Sequence, residues 1–178
     1  MSSPPPDRVD VPSLGSATDG RDPLGYQLRR AQVVGGTLAD VFAFFKDPAN
    51  LERLTPPWLA FRVLDSSTPT VQRDTRIRYR LRLHGVPLRW ESRITEFEEN
   101  QLFADEQLVG PYRRWYHRHL FRSVPGGVHV EDIVDYRLPF GPLGRMVHAL
   151  AVARQLRAIF DYRAVVMREL FPPESAEG

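Results

Sequence analysis

Apolar and polar residues alternate strictly through the middle of the chain. Ile77, Tyr79, Leu81 and Leu83 interleave with Arg76, Arg78, Arg80 and Arg82; Val86, Leu88 and Trp90 interleave with Arg89, Glu91 and Arg93. A period of two predicts strands with one buried and one wet face. His84-Gly85 between the two runs suits a two-residue hairpin turn. Pairing Leu83 with Val86 then sets Leu81 opposite Leu88 and Tyr79 opposite Trp90. One face of the hairpin is wholly apolar in that register, and a slip of one residue destroys it.

The flanking segments predict the remaining elements. A moderately alternating strand spans Tyr26–Val34 and is broken by Gly35-Gly36. Thr37 followed by Asp40 resembles a capping box and starts a short helix carrying Val41, Phe42, Phe44 and Phe45. Asp47-Pro48 is a second helix start, for a segment carrying Leu51 and Leu54 that Pro56-Pro57 stops. A strand near Leu102–Leu108 follows, with either set of alternate residues eligible for its inner face. Further strands are predicted at Tyr112–Ser123 and Val128–Leu138, joined by a turn at Pro125-Gly126. Leu143–Phe171 reads as one long helix. Its early stripe is Leu143, Met146, Val147 and Leu150; its later stripe is Val152, Leu156, Ile159, Phe160, Val166 and Leu170. The two stripes are rotated, so a bend or a change of partner midway is expected. The order is strand, two short helices, about six antiparallel strands and one long helix. This is an α+β chain whose sheet covers its apolar face with that helix.

The stretch richest in chemistry is Trp115-Tyr116-His117-Arg118-His119-Leu120-Phe121. Arg114, Tyr116, Arg118 and Arg122 share one side and belong in water, which turns Trp115, His117, His119 and Phe121 inward. A turn at Pro125-Gly126 pairs Val124 with Gly127. Counting back, Phe121 faces Val130, His119 faces Asp132, His117 faces Val134 and Trp115 faces Tyr136. An inward carboxylate opposite an inward imidazole binds a polar ligand group, serves as an oriented general base, or simply satisfies itself and fixes register. Two histidines at i and i+2, with Asp132 as third donor, are also compatible with a metal. The spacing is not specific for one, and no metal or cofactor is assigned. Arg163 interrupts the apolar later stripe of the helix and is expected to pair with an inward acid, Asp132 or Asp105.

Composition narrows the classes. The chain has 178 residues, 42% hydrophobic and 26% charged, which suits one soluble domain with a sizeable core. Residues 1–24 are rich in Pro, Ser, Gly and Asp and read as a flexible arm; 25–171 form the folded unit and 172–178 a tail. The 24 basic and 22 acidic residues leave a charge of +2, too near balance to argue for nucleic acid. Glu96, Glu98, Glu99, Asp105 and Glu106 are placed to neutralise the arginine faces, so no nucleic-acid partner is expected. There is no cysteine, which excludes disulfides, thiol nucleophiles and cysteine metal sites. No apolar run reaches bilayer length and no secretion signal opens the chain, so a cytoplasmic protein without a membrane span is expected. A monomer or homodimer is expected. Phosphate-loop, nucleophile-elbow and metalloprotease-helix signatures do not occur.

Several segments together resemble a known family. They are Asp47-Pro48-Ala49-Asn50-Leu51 running to Leu54-Thr55-Pro56-Pro57, and Phe103-Ala104-Asp105-Glu106-Gln107. They continue with Gly110-Pro111-Tyr112 and Trp115, His117, His119 and Phe121, then Leu138-Pro139-Phe140-Gly141 and Ile159-Phe160-Asp161-Tyr162-Arg163. The chain resembles, over about 26–171, the bacterial ligand-binding domain proteins of the SRPBCC superfamily. That superfamily includes START lipid-transfer domains, pollen-allergen-like proteins and aromatic polyketide cyclases. The resemblance implies a helix-grip fold: a seven-stranded curved antiparallel sheet around a long C-terminal helix, with a hydrophobic cavity between them. It implies a small hydrophobic or amphipathic ligand (lipid, isoprenoid or polyketide-like). The expected apolar wall is Trp58, Tyr79, Leu81, Trp90, Trp115, Tyr136, Met146 and Leu150, and the expected polar floor is His117, His119 and Asp132. The rival expectation is a cyclase or dehydratase in which His119, oriented by Asp132, removes a proton beside a carbonyl. A third is an interaction protein whose interior is fully packed. Fold alone does not choose among them.

Overall fold

Seven antiparallel strands form a single sheet in the computed structural model, which describes residues 25–83, 85–139 and 151–173. The elements run β1 (Tyr26–Val34), α1 (Leu38–Lys46), 3-10 turns at Pro48–Leu51 and Pro57–Leu59, β2 (Arg62–Ser66), β3 (Arg76–Leu83), β4 (Val86–Glu98), β5 (Leu102–Val109), β6 (Arg114–Val124), β7 (Gly127–Arg137) and α2 (Ala153–Leu170). The sheet order is β1-β7-β6-β5-β4-β3-β2. Strands β2 to β7 form a meander, and β1 returns to cover the β7 edge. This is the helix-grip arrangement.

Local chemistry accounts for the connections. The Thr37 hydroxyl accepts from Asp40 N at 3.2 Å and donates to the Asp40 carboxylate at 2.6 Å, which caps α1. Asp47 caps the next segment through Ala49 N at 2.9 Å. That segment is a four-residue 3-10 turn rather than a second α-helix, and Pro57 opens another short turn instead of only stopping the first. Strand β2 is five residues long with a register shift between Val63 and Asp65, so it carries no clean alternation.

The two central hairpins have the registers that alternation requires. Leu83 pairs with Val86, Leu81 with Leu88 and Tyr79 with Trp90. Val124 pairs with Gly127, Phe121 with Val130, His119 with Asp132, His117 with Val134 and Trp115 with Tyr136. Gly127 has φ +144, and a Cβ there would lie 2.0 Å from the Val34 carbonyl oxygen. Only glycine lets β7 start so close to the end of β1.

Two apolar clusters fill the concave side. In one, Phe42 from α1 meets Phe97, Phe103 and Phe121 of the sheet at centroid distances of 5.9, 6.1 and 5.1 Å. In the other, Leu156 and Phe160 of α2 pack on Leu28, Val134 and Tyr136. The buried face of α2 is Ala153, Leu156, Phe160, Ala164 and Met167; Val166 and Leu170, expected on that stripe, are half-buried, with Val166 packed against the first core cluster. The early stripe of Leu143, Met146, Val147 and Leu150, and the expected bend, lie outside the described residues. On the convex side cross-strand ion pairs lace the arginines: Arg78 with Asp65 at 2.8 Å, Arg93 with Glu106 at 3.1 Å and Arg118 with Asp135 at 3.0 Å. Asp105, eligible from the sequence as an outer or an inward acid, points inward. Among the described residues no helix is long and apolar enough to cross a membrane.

Candidate functional site

A cavity of about 180 Å³ lies between the concave face of the sheet, the segment after α1, and α2. Its wall is mostly apolar. Tyr79, Leu81, Leu88 and Trp90 reach it from β3 and β4, and Leu156 and Phe160 from α2. The aromatic rings support one another: Tyr79 stacks on Trp90 at 5.9 Å, Trp90 meets Trp115 edge-on at 5.3 Å, and Trp115 meets Tyr112 at 4.8 Å. Such contacts fix ring orientations beyond what burial alone would do.

Polar groups gather at the floor. His117 and His119, alternate residues of β6, line the cavity at 5% and 4% exposure, with ring centroids 3.9 Å apart. Behind them sits Asp132 of β7. His117 Nε2 donates to Asp132 Oδ1 at 2.9 Å. His119 Nδ1 lies 2.8 Å from the same oxygen but at an angle that makes no hydrogen bond. The expected partners do meet across the strands, yet the hydrogen bond goes to the neighbouring imidazole. Arg163 of α2 completes the back of the cluster, donating through Nη1 to Asp132 Oδ1 at 3.2 Å.

Asp105 of β5 faces the histidines from the other side. Its Oδ2 is 3.6 Å from His119 Nε2 and 3.8 Å from His117 Nδ1. Its Oδ1 accepts from Ser92 Oγ at 3.1 Å. Ser92 has one proton, and it goes to the carboxylate. Tyr79 therefore donates to Ser92 Oγ at 3.1 Å, and Trp90 Nε1 donates to the same oxygen at 3.1 Å. Both acceptor positions of Ser92 are filled, so Asp105 is held rigidly with one oxygen toward the imidazoles.

Electrostatics divides the two histidines. Burial, reinforced by the charge of His119, pushes His117 down to about 4. Burial also works against the His119 cation, but Asp105 and Asp132 outweigh it and hold its pKa above the ordinary value. Burial opposes ionisation of Asp132 too; Arg163 and the two histidines overcome it and keep the carboxyl well below the usual range. For Asp105 the histidines overcome the same penalty, so its pKa is lowered. Burial and the Asp105 charge push Tyr79 far up, so its phenol stays a donor. The cluster holds two carboxylates, one imidazole whose neutral form is favoured, one whose charged form is favoured, and a guanidinium.

Tyr79, Leu81, Trp90, Trp115, His117 and His119 all line the cavity. Asp132 lies directly behind the histidines. Tyr136 is buried but sits under Trp115, stacked on Tyr26 at 5.6 Å, rather than on the wall. Trp58 is 57% exposed and packs edge-on against Tyr162, because the 3-10 turn that carries it puts Leu59 inward instead. Met146 and Leu150 lie outside the described residues. Asp105, Ser92 and Tyr112 were not expected on the wall. Asp105 is hidden because both alternate sets of β5 contain an acid; the signal was its place directly opposite His117. The donor trio that converges is Asp105, His117 and His119, whose ligating atoms all fall within 4.8 Å of one another, with Asp132 outside it.

Comparison with known proteins places this geometry in a family. Residues 34–160 match the sequence profile described as polyketide cyclase / dehydrase and lipid transport. No curated protein matches in sequence. Among solved structures, a protein of Thermus thermophilus is 16% identical, with 80% of this chain and 94% of that one covered and a TM-score of 0.64. A Rhodobacter sphaeroides protein is 20% identical over 92% of this chain and 99% of its own, with a TM-score of 0.58. The di-domain ARO/CYC StfQ from the steffimycin biosynthetic pathway is 12% identical, covers 82% of this chain and 50% of its own, and gives a TM-score of 0.66. At these identities the structural likeness speaks for the fold alone. The profile match spans most of the chain, and with it the chain belongs to the polyketide cyclase / dehydrase and lipid transport family of the SRPBCC superfamily.

Proposed function

We propose that the protein binds a small, largely apolar ligand with one polar end in the cavity between the sheet and α2. The observation that carries this reading is an apolar, aromatic wall ending in a few convergent, buried or half-buried polar groups, the usual make-up of a ligand site. Of the apolar and amphipathic classes expected, the volume favours a compact one. A cavity of about 150 Å³ holds one benzene, while pockets for drug-sized molecules span about 300–1,000 Å³. At about 180 Å³ the described space suits one or two rings or a short chain, with its polar end against His119, Asp105 and Arg163. The reading keeps the protein in the cytoplasm as a monomer or homodimer, and the cross-strand pairing of outer arginines supports the absence of a nucleic-acid partner. Native mass spectrometry of the purified full chain tests it. A stoichiometric apolar passenger, or uptake of one- or two-ring compounds at one equivalent, is expected. A chain that carries nothing and takes up none of them contradicts the reading.

One observation favours a second reading, a cyclase- or dehydratase-type enzyme. His119 lies at the cavity wall between two carboxylates that favour its charged form, which suits proton donation to a ligand carbonyl oxygen. A raised pKa also makes the deprotonated imidazole a stronger base, the role expected from the sequence. Under this reading His119→Gln abolishes turnover of a polyketone while leaving its binding within a few-fold. Unchanged turnover removes His119 from the chemistry.

A further inference from the structure

We propose that Asp105, His117 and His119 form a binding site for a divalent transition-metal ion of the zinc class, with its open position facing the cavity. This rests on the ligand-binding reading only for that open position.

The first argument is donor geometry. Zinc takes nitrogen and carboxylate oxygen at about 2.0–2.2 Å, and tetrahedral donors at that radius stand about 3.4 Å apart. Asp105 Oδ2 stands 3.6 Å from His119 Nε2 and 3.8 Å from His117 Nδ1. A contraction of a few tenths of an ångström reaches coordination distance. Two imidazoles and one carboxylate match a catalytic-type, three-ligand set.

The second argument is independent of the first and concerns the far side of each ring. Metal-bound histidines hold their other nitrogen against a carboxylate, which sets the tautomer and ring orientation. Here both histidines turn that other nitrogen to one carboxylate. His117 Nε2 donates to Asp132 Oδ1 at 2.9 Å, and His119 Nδ1 stands 2.8 Å from the same atom. Because Nε2 is engaged by Asp132, Nδ1 is the His117 nitrogen turned toward the Asp105 oxygen, 3.8 Å away. The carboxylate ligand is supported in the same way, since Ser92 donates to the Asp105 oxygen that faces away from the histidines.

Charge then selects what fills the open position. The ion brings +2, and Asp105 and Asp132 bring −2. Arg163 leaves one uncompensated positive charge beside the cavity. The structure therefore favours an anionic oxygen as the fourth ligand: hydroxide, a carboxylate or an enolate on an otherwise apolar molecule.

Titration of the metal-free full chain with Co²⁺ tests the site, because four-coordinate cobalt absorbs visibly and zinc displaces it. We expect one equivalent bound with four-coordinate bands, competed by Zn²⁺. Asp105→Asn and His119→Gln should lose the bands, and Ser92→Ala should weaken binding about 10–100-fold, as loss of a supporting hydrogen bond does. Glu99→Gln, an outer-surface change, should bind as wild type. Absence of stoichiometric uptake, or uptake unaltered by both Asp105→Asn and His119→Gln in variants that melt cooperatively, overturns the proposal. In that event the cluster is a self-satisfying ionic network. Binding of 1-anilinonaphthalene-8-sulfonate to the metal-free chain is measured in parallel. Saturable probe binding without cobalt uptake would sink the metal site alone; loss of both would also sink the cavity reading.

Discussion

Asp132 is addressed by His117 and Arg163 through a single oxygen, with His119 at contact distance. Removing its charge leaves a guanidinium buried without its carboxylate, which typically costs about 3–5 kcal/mol. Asp132→Asn is expected to lower stability by that order, measured by urea unfolding. The two histidines give stability opposite pH slopes. The folded-state pKa of His117 lies at about 4, below its unfolded value of 6.5, so its contribution is full above 6.5 and fades as pH falls toward 4. The folded-state pKa of His119 is raised, so its contribution is full below 6.5 and lost as pH rises through the raised value. The urea midpoint should therefore fall on the acid side of 6.5, and His117→Gln should flatten that limb. A midpoint independent of pH between 6.5 and 4 would contradict the buried neutral imidazole. At this scale the sequence was legible where two alternate sets differed sharply. Arginines on one side of β6 forced both histidines inward, and counting from Pro125-Gly126 put His119 opposite Asp132. It was illegible where both sets were mixed, as in β5, and where bond angle decides, as between His119 and Asp132.

The hairpins follow from period and turn chemistry, which act over a few residues. Their registers were readable because a one-residue slip would bury the arginines of β3 or β6. Strand β2 was not, because a bulge breaks its alternation and it is held as the sheet's edge by β3. On α2 the stripe is wider than expected: Ala164 and Met167 are buried, and Val166 and Leu170 are half-buried beside them. Gly127 sets the junction of β1 and β7. Gly127→Ala would place a Cβ 2.0 Å from the Val34 carbonyl oxygen, on backbone that cannot retreat easily. It should destabilise by at least about 1–3 kcal/mol, and amide exchange should accelerate along the β1–β7 ladder first. Protection unchanged along that ladder would mean that the two strands are not held there.

At the scale of the molecule, the curved sheet, α1 and α2 divide the interior between a packed half and a hollow one. The packed half centres on Phe42, fully buried among Phe97, Phe103 and Phe121. Phe42→Ala should cost about 3–5 kcal/mol by chemical unfolding, and a cost below about 1 kcal/mol would contradict that packing. The hollow half begins where the sheet turns from phenylalanine to tryptophan, tyrosine and histidine. Binding there is the central claim, and tryptophan fluorescence reads it directly, since Trp90 and Trp115 line the cavity while Trp58 faces solvent. The decisive measurement is a titration of the full chain and of Leu81→Phe, which fills the wall, with one- and two-ring aromatic carboxylic acids. The account predicts saturable quenching at one site in the wild type and an affinity at least tenfold lower in the variant, about 1.4 kcal/mol. Quenching that never saturates, or equal affinity in the two proteins, would contradict it.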